Sequence, residues 1–365
     1  MKVAIVHYWL TSMRGGEKML ESILELFPDA DIFTHVYDPS RLSETIKSHN
    51  VITSSINKMP FVKRMYKMYM PFMPRALLEF DLSQYDLVFS SEAGPAKGVV
   101  PAPDAYHICY CHSPMRYLWD MYHEYFNGTN FFVRFFMKQF IPSLRVWDIT
   151  SANLVDRFIT NSNYVAHRIR RYYKREAKVV FGPANIEKYI HNERDPKDFY
   201  LFFGQLAENK RVDIAIDACI LGGKKLIVSG GGNKEKFRHH YRKHKNIVFT
   251  GRISDDYAAE LFSNARALLF PGIEDMGLIP IEANAGGCPV IAYRKGGVLD
   301  TIKENETGIF FDEQTPRALL DAMNEFEQHE DKFKDRSVFT RHVARFSKEA
   351  FKDRVMAIIK ERIFI

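Results

Sequence analysis

The sequence contains few cysteines, little net charge and no long apolar run, and each of these shortages excludes a class of protein. Four cysteines among 365 residues exclude a small secreted scaffold held together by disulfides, and they favour a reducing compartment. Lysine and arginine number 51 against 45 acidic residues, an excess too small for a dedicated nucleic-acid binder unless it is clustered. No apolar stretch approaches the roughly 20 residues that cross a bilayer. We therefore expect no nucleic-acid partner and no membrane-spanning helix.

The first apolar stretch is interrupted by His7 and is followed at 14–17 by Arg-Gly-Gly-Glu instead of a small-residue cleavage site. This pattern is typical of a buried strand and not of a signal peptide. Hydrophobic residues make up 46% of the chain, which is enough to bury a core, and 365 residues is about the length of two domains. We expect a cytoplasmic protein with two domains.

Short apolar strands alternate with helices along the chain, which is typical of parallel sheets in α/β domains. A charged run at 187–198 separates two such series, and we place the domain linker there. The sequence predicts two doubly wound, Rossmann-like domains at 1–190 and 191–347, and a C-terminal helix at 348–365 that could pack back on the first domain. The predicted strands lie near residues 3–9, 31–35, 87–91, 106–111, 158–161, 199–204, 225–230, 246–251, 267–271 and 289–292.

The segment 271–292 carries the most informative pattern in the chain. A predicted strand ends at Pro271, and a loop with a glycine carries Glu274. A helix is predicted to begin near Pro280, because proline needs no N–H at the first helical position. The segment therefore combines a strand end, an acidic loop and a helix start, which is where ligands bind in such sheets.

The start of this predicted helix could bind a diphosphate. The backbone N–H groups of Gly277, Leu278 and Ile279 would lie at the helix N-terminus, where anions bind. Glu274 and Glu282 lie on either side of these three residues. Each glutamate alone is typical of a solvated charge at a helix start. The complete pattern is much harder to obtain by chance.

The segment resembles the signature of the family-4 retaining glycosyltransferases of the GT-B fold: a glutamate, seven residues, a second glutamate, a helix of small residues and Pro-Val-Ile-Ala. The resemblance implies two Rossmann-like domains with a cleft between them, and transfer of a hexose with retention of its anomeric configuration. Further segments resemble other loops of the family: 14–17, 158–166, 203–213, 251–256 and the glycines at 296–297.

The segment 111–120 resembles a subgroup associated with mannosyl transfer in bacterial surface-glycan assembly. The resemblance implies a GDP-mannose donor and a lipid-linked or oligosaccharide acceptor. The alternative is a UDP-sugar donor for a glucosyl, galactosyl or N-acetylhexosaminyl transferase. A dinucleotide-dependent dehydrogenase also has tandem α/β domains, but neither 14–17 nor 230–232 forms the Gly-x-Gly-x-x-Gly fingerprint.

The resemblance implies a role for each matching residue of the nucleotide-sugar site. Glu282 would hold the ribose hydroxyls, and Glu274 would face the hydroxyls of the donor sugar, where a carboxylate stabilises positive charge at the anomeric carbon. Lys210 would neutralise the diphosphate leaving group. The backbone of Gly15 and Gly16 would approach the diphosphate from the first domain.

Three further positions of the nucleotide-sugar site leave alternatives open. Gln205, a predicted contact to the nucleotide sugar, stands where the family usually has an arginine; it can donate a hydrogen bond but supplies no charge to that half of the usual clamp. Arg211 follows Lys210 directly and is the candidate replacement, although adjacent side chains at a helix start point apart. Arg252 would lie near the base, and a surface charge at a strand end is an equal alternative.

His112 is the predicted contact to the sugar, and together with Glu274 it is a candidate catalytic residue. It follows a strand and precedes Ser-Pro, so it lies on a loop at the carboxyl edge of the sheet. In the family the matching histidine hydrogen-bonds the donor sugar; without the resemblance, a structural histidine would be favoured. Arg116 and Asp120 lie four residues apart and could pair with each other or reach the acceptor.

Two patterns suggest a metal, and both have a more ordinary interpretation. The residues 29–31, Asp-Ala-Asp, match the metal motif of another glycosyltransferase fold, but they lie between a helix and a strand and are typical of a loop cap. Cys109, Cys111 and His112 lack a second cysteine pair, so zinc is not expected. Because a cationic clamp and a helix dipole can stabilise a leaving diphosphate, we expect no metal and no cofactor besides the donor.

Cations are clustered with methionine and aromatic residues at 57–75 and again at 130–141, a composition typical of a segment on an anionic membrane surface. The alternative is a core helix with a solvated basic side, although Pro60, Pro71 and Pro74 argue against one long helix in the first segment. We favour peripheral contact with the inner face of the plasma membrane, where a lipid-linked acceptor would be presented.

Overall fold

The computed structural model of the protein describes residues 1–190, 193–232 and 234–363. By its contacts the chain forms two compact units. The first consists of Met1–Val180 and the end of the chain from Ile358, and the second of Phe181–Ala357. Each unit contains one parallel β-sheet with helices between its strands. The predicted α/β class with two doubly wound domains is confirmed.

Seven parallel strands form the sheet of the first unit: β1 (Val3–His7), β2 (Asp31–Thr34), β3 (Val51–Thr53), β4 (Leu87–Glu92), β5 (Tyr106–Cys111), β6 (Arg157–Thr160) and β7 (Ala177–Val179). They pair in the order β3-β2-β1-β4-β5-β6-β7. Strands β1 and β4 are buried along their whole length. Helices cover both faces of such a sheet, so its central strands are apolar without alternation.

The helices of the first unit differ in how much of their surface is buried. In α1, the apolar Met19, Leu20 and Ile23 recur at helical spacing and are buried. In α6, only the second half is buried, at positions that include Ile141 and Leu144. The helices are α1 (Gly15–Leu24), α2 (Glu44–Lys47), α3 (Val62–Met65), α4 (Met73–Ala76), α5 (Tyr122–Asn127), α6 (Phe131–Ser151) and α7 (Asn163–Tyr173).

Six parallel strands form the sheet of the second unit: β8 (Tyr200–Phe203), β9 (Leu226–Ser229), β10 (Ile247–Gly251), β11 (Leu268–Phe270), β12 (Val290–Tyr293) and β13 (Gly308–Phe311). They pair in the order β10-β9-β8-β11-β12-β13. The remaining helices are α8 (Val212–Leu221), α9 (Lys234–His240), α10 (Asp255–Asn264), α11 (Leu278–Ala285), α12 (Val298–Thr301), α13 (Pro316–Gln328), α14 (Arg336–Val343) and α15 (Lys348–Ile363).

The predicted strands are present, and the strands that the sequence did not predict are β3, β7 and β13, which lie at sheet edges. Strands β3 and β7 have three residues each and are only partly buried, so they carry little apolar signal. Strand β13 begins with Gly308, a residue type depleted in strands. Helix α11 begins at Leu278 and not at the predicted Pro280. Pro280 still lies in the first turn, where an N–H has no partner within the helix.

The segment just after Val180 packs on the second unit. The ring of Phe181 lies 5.1 Å from that of Phe346, and the N–H of Ala184 donates to the carbonyl of Phe346 at 2.9 Å. The charged run at 187–198 lies beyond this point, and two of its residues, His191 and Asn192, are outside the described residues.

The last turns of α15 contact the first sheet. Glu361 pairs with Lys178 at 2.6 Å, and the Arg362 guanidinium donates to the carbonyl of Ala105 at 3.3 Å. No helix in the described part of the chain is long and apolar enough to cross a membrane.

A buried ionic cluster attaches α6 to the end of β4. The ammonium of Lys97, which is fully buried, lies 2.9 Å from Glu92 Oε1 and also donates to Asp148 of α6. Burial by itself would lower the pKa of Lys97, but the carboxylates of Asp148 and Glu92 outweigh burial and raise it. Asp148 also accepts hydrogen bonds from Trp119 and Tyr173. Because every member has partners, the cluster fixes the position of the second half of α6.

Candidate active site

In the first unit, the strand order reverses between β1 and β4, and ligands of such sheets bind beside the carboxyl ends of strands at this point. Gly15 and Gly16 begin α1 after β1, and His112 directly follows β5, the neighbour of β4. A Cβ added to Gly16 would lie 2.8 Å from Tyr8 Oη and 3.8 Å from His112 Nε2. The structure therefore brings the predicted glycine loop and the predicted histidine together, and a side chain at position 16 would crowd the Tyr8 hydroxyl.

A series of polar side chains connects His112 to the interior of the first unit. The Ser91 hydroxyl lies 3.0 Å from His112 Nε2 and 3.0 Å from His7 Nδ1. On its other side, His7 Nε2 lies 3.8 Å from Glu17 Oε1. Of these residues, His7, Ser91 and Glu17 are buried. The sequence analysis did not predict His7 and Ser91, whose only signal was a polar residue near the carboxyl end of an apolar strand, and it gave Glu17 no role beyond its place in the 14–17 segment.

Burial sets the charges in this network. Burial and the neighbouring His7 lower the pKa of His112 to about 3, so that His112 is neutral at physiological pH. Burial by itself would raise the pKa of Glu17, but the nearby His7 and the backbone N–H of Arg14 outweigh burial and lower it. The network therefore contains an ionised Glu17 beside His7 and a neutral His112.

The Glu17 carboxylate favours a proton on the facing nitrogen of His7, Nε2. With that tautomer, Nδ1 of His7 accepts the hydrogen of the Ser91 hydroxyl, because a neutral imidazole has one donor and one acceptor nitrogen. The Ser91 oxygen then accepts a hydrogen bond from the Nε2–H of His112. This arrangement leaves Nδ1 of His112 as a hydrogen-bond acceptor.

The two predicted acceptor residues have different partners. Asp120 forms an ion pair with Arg168 at 2.5 Å, and Arg168 also donates to the Ser113 hydroxyl at 2.8 Å. The guanidinium of Arg116 lies 3.6 Å from the sulfur of Met121. Asp120 is therefore held by α7, through a residue 48 positions away that sequence spacing did not identify.

In the second unit, the strand order reverses between β8 and β11, and the segments that follow these strands carry Lys210 and Glu274. The Lys210 ammonium forms an ion pair with Glu274 Oε1. Both side chains are half-buried, with 24% and 21% of their surface exposed. The approach depends on Gly272, since an added Cβ there would lie 2.9 Å from the Lys210 Cα atom.

A pair of glycines after β12 shapes the loop that carries Glu274. The N–H of Gly297 donates to the Glu274 carbonyl at 2.8 Å. A Cβ on Gly297 would lie 2.2 Å from the Asp275 carbonyl oxygen, and Gly296 has a φ of +93°, which favours glycine. The glycines at 296–297, which the sequence matched to the family, therefore act by contact with the backbone of the glutamate loop.

Helix α11 begins at the predicted anion-binding segment. Gly277 precedes it with a φ of +84°, and Leu278 and Ile279 are its first two residues. Their N–H groups have no acceptor within the helix, because the first turn of any helix lacks one. Glu282 is half-buried on the same helix. Burial raises the pKa of Tyr189, and the charge of Glu282 raises it further, so the side chains of Glu282 and Tyr189 are neighbours.

The other side chains predicted for this site, Gln205, Arg211 and Arg252, follow strands of the same sheet. Gln205 is exposed after β8. The Arg211 guanidinium donates to Asp213 at 2.9 Å and to Gln314 at 3.2 Å, so it is held by its own helix and by a residue before α13. Arg252 is exposed after β10 and packs on Gly231, where an added Cβ would lie 2.6 Å from its Nε.

The two metal-like patterns have ordinary surroundings. Asp31 accepts hydrogen bonds from Tyr85 at 2.6 Å and Asn50 at 2.7 Å at the start of β2. Cys109 and Cys111 are buried on one face of β5 in an apolar cluster. Among the described residues, no group of three or more His, Cys, Asp or Glu side chains is placed to hold a metal ion.

Two family models match the chain and together extend over most of it. Residues 13–185 match the model described as Glycosyltransferase Family 4. Residues 183–352 match the model described as Glycosyl transferases group 1.

Two curated relatives are mannosyltransferases. The O-antigen chain mannosyltransferase C of Escherichia coli is 26% identical over 194 residues, 48% of this chain and 52% of that protein. The GDP-mannose-dependent alpha-(1-6)-phosphatidylinositol monomannoside mannosyltransferase of Mycobacterium tuberculosis is 29% identical over 115 residues, 28% of this chain and 30% of that protein. The chain therefore spans about half or less of the length of these relatives.

Solved structures share the fold over the whole chain. Sucrose-phosphate synthase from Thermosynechococcus elongatus matches 100% of this chain and 99% of its own, with a TM-score of 0.73 at 17% identity. Anabaena HepE in complex with UDP matches 99% of this chain and 100% of its own, with a TM-score of 0.69 at 14% identity. At these identities the likeness shows the fold alone, two Rossmann-like domains of the GT-B type.

Proposed function

Since the chain belongs to the family-4 glycosyltransferases of the GT-B fold, we propose that it transfers mannose from GDP-mannose to a lipid-linked or oligosaccharide acceptor. Transfer retains the anomeric configuration and needs no metal ion. The mannosyltransferases among the curated relatives and the segment 111–120 support this donor. A UDP-sugar is the alternative, because HepE is described in complex with UDP.

The observation that carries the proposal is the ion pair of Lys210 and Glu274 at the reversal point of the second sheet. Without donor, the two charges neutralise each other. A diphosphate competes for the Lys210 ammonium, and its binding releases the Glu274 carboxylate to accept hydrogen bonds from the sugar hydroxyls. The released carboxylate also stabilises the positive charge that develops at the anomeric carbon. The N-terminus of α11 adds N–H donors and partial positive charge for the leaving diphosphate.

His112 contributes a neutral hydrogen bond to the donor sugar. Because its pKa is about 3, it binds as an imidazole and not as a cation. Nδ1 accepts a hydrogen bond from a sugar hydroxyl while Nε2 stays bound to Ser91. Glu17 does not serve as a nucleophile, since it is buried and accepts the N–H of Arg14. The resemblance to the family implies that the departing phosphate oxygen takes the proton of the attacking acceptor hydroxyl.

We propose that the first unit contacts an anionic membrane surface through what we call the aromatic patch. The patch consists of exposed methionine and phenylalanine residues on two segments, which the ring of Phe140 joins by contacts of 6.3 Å to Phe72 and to Phe136. Exposed cations flank it, so apolar insertion and charge attraction act together. The patch residues are Met59, Phe61, Met65, Met68 and Phe72, with Phe131, Phe132, Phe135 and Phe136 of α6.

The donor is tested by thermal unfolding with GDP, UDP and ADP. We expect GDP to stabilise the protein, by about 2.7 kcal/mol at 100 times its Kd, and the other two nucleotides to stabilise it less. GDP-mannose should then be hydrolysed slowly, at a rate that EDTA leaves unchanged. Stabilisation by UDP alone would overturn the mannose donor. A loss of activity with EDTA that Mg²⁺ restores would overturn metal independence.

Substitutions in the site separate binding from turnover. Glu282→Ala should weaken nucleotide binding, because it removes the acceptor for the ribose hydroxyls. Glu274→Gln and His112→Asn should each lower kcat by about tenfold or more. His112→Asn should change the nucleotide Kd little, whereas Glu274→Gln should tighten nucleotide binding, because it removes the carboxylate that competes with the diphosphate for Lys210. Glu313→Gln is the control, since Glu313 is an exposed acid of the same unit. Unchanged kinetics in all three site variants would defeat the assignment.

A further inference from the structure

A cavity of 490 Å³ in the first unit adjoins the glycine loop. Its volume lies within the range of small-molecule sites, about 300–1,000 Å³. It adjoins the loop because Arg14, which lines it, directly precedes Gly15. Three segments supply the lining: Thr11, Ser12 and Arg14 after β1, Asp38 and Arg41 after β2, and Lys63, Arg64 and Tyr66 at α3.

The lining is strongly cationic, with four basic side chains and one carboxylate. The carboxylate, Asp38, is buried and serves two of the cations: Lys63 Nζ lies 3.5 Å from it and Arg41 Nε lies 3.8 Å from it. The guanidinium groups of Arg14 and Arg64 have no carboxylate oxygen of a described residue within 4.0 Å. The cavity therefore has unneutralised positive charge in the groups that bind phosphate bidentately.

The other lining groups fit an anion attached to a larger group. The Thr11 and Ser12 hydroxyls can donate hydrogen bonds to phosphate oxygens. Tyr66 packs its ring against Trp9 at 4.7 Å and forms an aromatic wall. The same short segment that supplies Lys63 and Arg64 also presents Phe61, 80% exposed, and Met65, 42% exposed. Cations in the cavity and apolar side chains of the aromatic patch thus alternate along one stretch of chain.

We propose that this cavity binds the phosphate or diphosphate group of the acceptor, so that the acceptor is an anionic phosphate ester and not a neutral glycan. The proposal rests on the proposed function, since it concerns the acceptor of that reaction. The cations bind the phosphate oxygens, and the aromatic patch contacts the apolar chain that an ester of a lipid alcohol carries.

The test is calorimetric titration of the full chain with inorganic pyrophosphate, farnesyl diphosphate and farnesol. Saturating GDP is present, so that the nucleotide site is occupied. The variant Arg14→Gln/Arg64→Gln should weaken binding of both diphosphates about tenfold or more, because it removes two charge-assisted contacts. The control Lys58→Gln/Arg75→Gln changes the net charge equally at two exposed cations of the same region that do not line the cavity. It should change binding by less than about twofold.

The three titrants distinguish the source of the phosphate. Tighter binding of farnesyl diphosphate than of pyrophosphate supports a lipid-linked ester, and equal binding supports recognition of the phosphate group alone. Binding of farnesol as tight as that of farnesyl diphosphate overturns the proposal, as does equal weakening by the two double variants. Thermal stabilisation by GDP is measured separately and tests the donor site. It is retained if only the assignment of the cavity is wrong, and it is absent if the assignment of the donor site is wrong.

Discussion

At the scale of single residues, two consecutive serines of β4 serve two different histidines. Successive side chains of a strand point to opposite faces, so Ser90 and Ser91 cannot share a partner. Ser90 Oγ lies 2.8 Å from Nε2 of His107, and Ser91 Oγ lies 3.0 Å from Nε2 of His112. Both serines are fully buried. Only the Ser91 face leads to Gly16 and the candidate active site.

The serine pair offers a matched test of how His112 is positioned. Each of Ser91→Ala and Ser90→Ala removes one buried hydroxyl and should cost about 1 kcal/mol of stability. Ser91→Ala should also lower kcat about tenfold, because His112 loses the partner that sets its tautomer and orientation, while nucleotide Kd stays the same. Urea unfolding and steady-state kinetics measure both effects. Equal kcat values in the two variants would show that Ser91 has only a structural role.

At the scale of elements, α6 has a core half and a surface half. The ionic cluster of Lys97 and Asp148 holds its second half, where Ile141 and Leu144 are also buried. In the first half, four phenylalanines at 131–136 are between 54% and 75% exposed. Such a set of large apolar side chains in water is typical of a contact surface and not of a core. Because one half of α6 is buried and the other half is exposed, its composition was compatible both with a core helix and with a segment on a membrane surface.

The surface half of α6 can be changed without touching its core half. Replacing Phe131, Phe132, Phe135 and Phe136 with serine should reduce binding to phosphatidylglycerol vesicles at least about a hundredfold, since each phenylalanine loses apolar burial. Val146→Ser/Ile149→Ser is the control, because both residues are exposed in the second half of the helix. Cosedimentation measures binding. If the unmodified protein binds neither phosphatidylglycerol nor phosphatidylcholine vesicles, membrane contact is excluded.

At the scale of the whole molecule, the first unit contains three histidines that burial keeps neutral. Burial lowers the pKa of His35 and of His107 to about 4, and burial together with His7 lowers that of His112 to about 3. The ordinary value is about 6.5. Below pH 6.5 the unfolded chain therefore binds protons at these positions that the folded chain does not. The stability that the neutral forms of these three histidines contribute is fully present above pH 6.5, and it decreases as the pH falls towards 4.

This difference in proton binding predicts the acid sensitivity of the protein. Between pH 7 and pH 5 the free energy of unfolding should fall, with up to about 2 kcal/mol from each fully buried histidine. His107→Gln should lower stability at pH 7 but flatten the pH dependence. His123→Gln should leave that dependence unchanged, since His123 is exposed. Urea unfolding at several pH values measures both; parallel profiles for His107→Gln and the unmodified protein would contradict the prediction.

The sequence by itself determined the α/β class, the central strands, and the succession of strand end, loop and helix start in the segment 271–292. Each of these depends on residues that are close together in the chain. Strand and helix periods act over a few residues, and the Glu274 and Glu282 motif lies within one loop and one helix. The edge strands β3 and β7 escaped prediction because short, partly buried segments carry a weak apolar signal, and β13 escaped it because it begins with a glycine.

Only the tertiary structure decided which side chains meet. Asp120 pairs with Arg168, the Ser91 hydroxyl joins His7 to His112, and the cationic cavity draws on three separate segments. His7 and Ser91 are 84 positions apart, so no spacing rule relates them. Their contact follows from the parallel pairing of β1 with β4, which aligns His7 with Ser91. Partner choice depends on sheet order and register, which are set by packing of the whole unit and not by any local stretch of sequence.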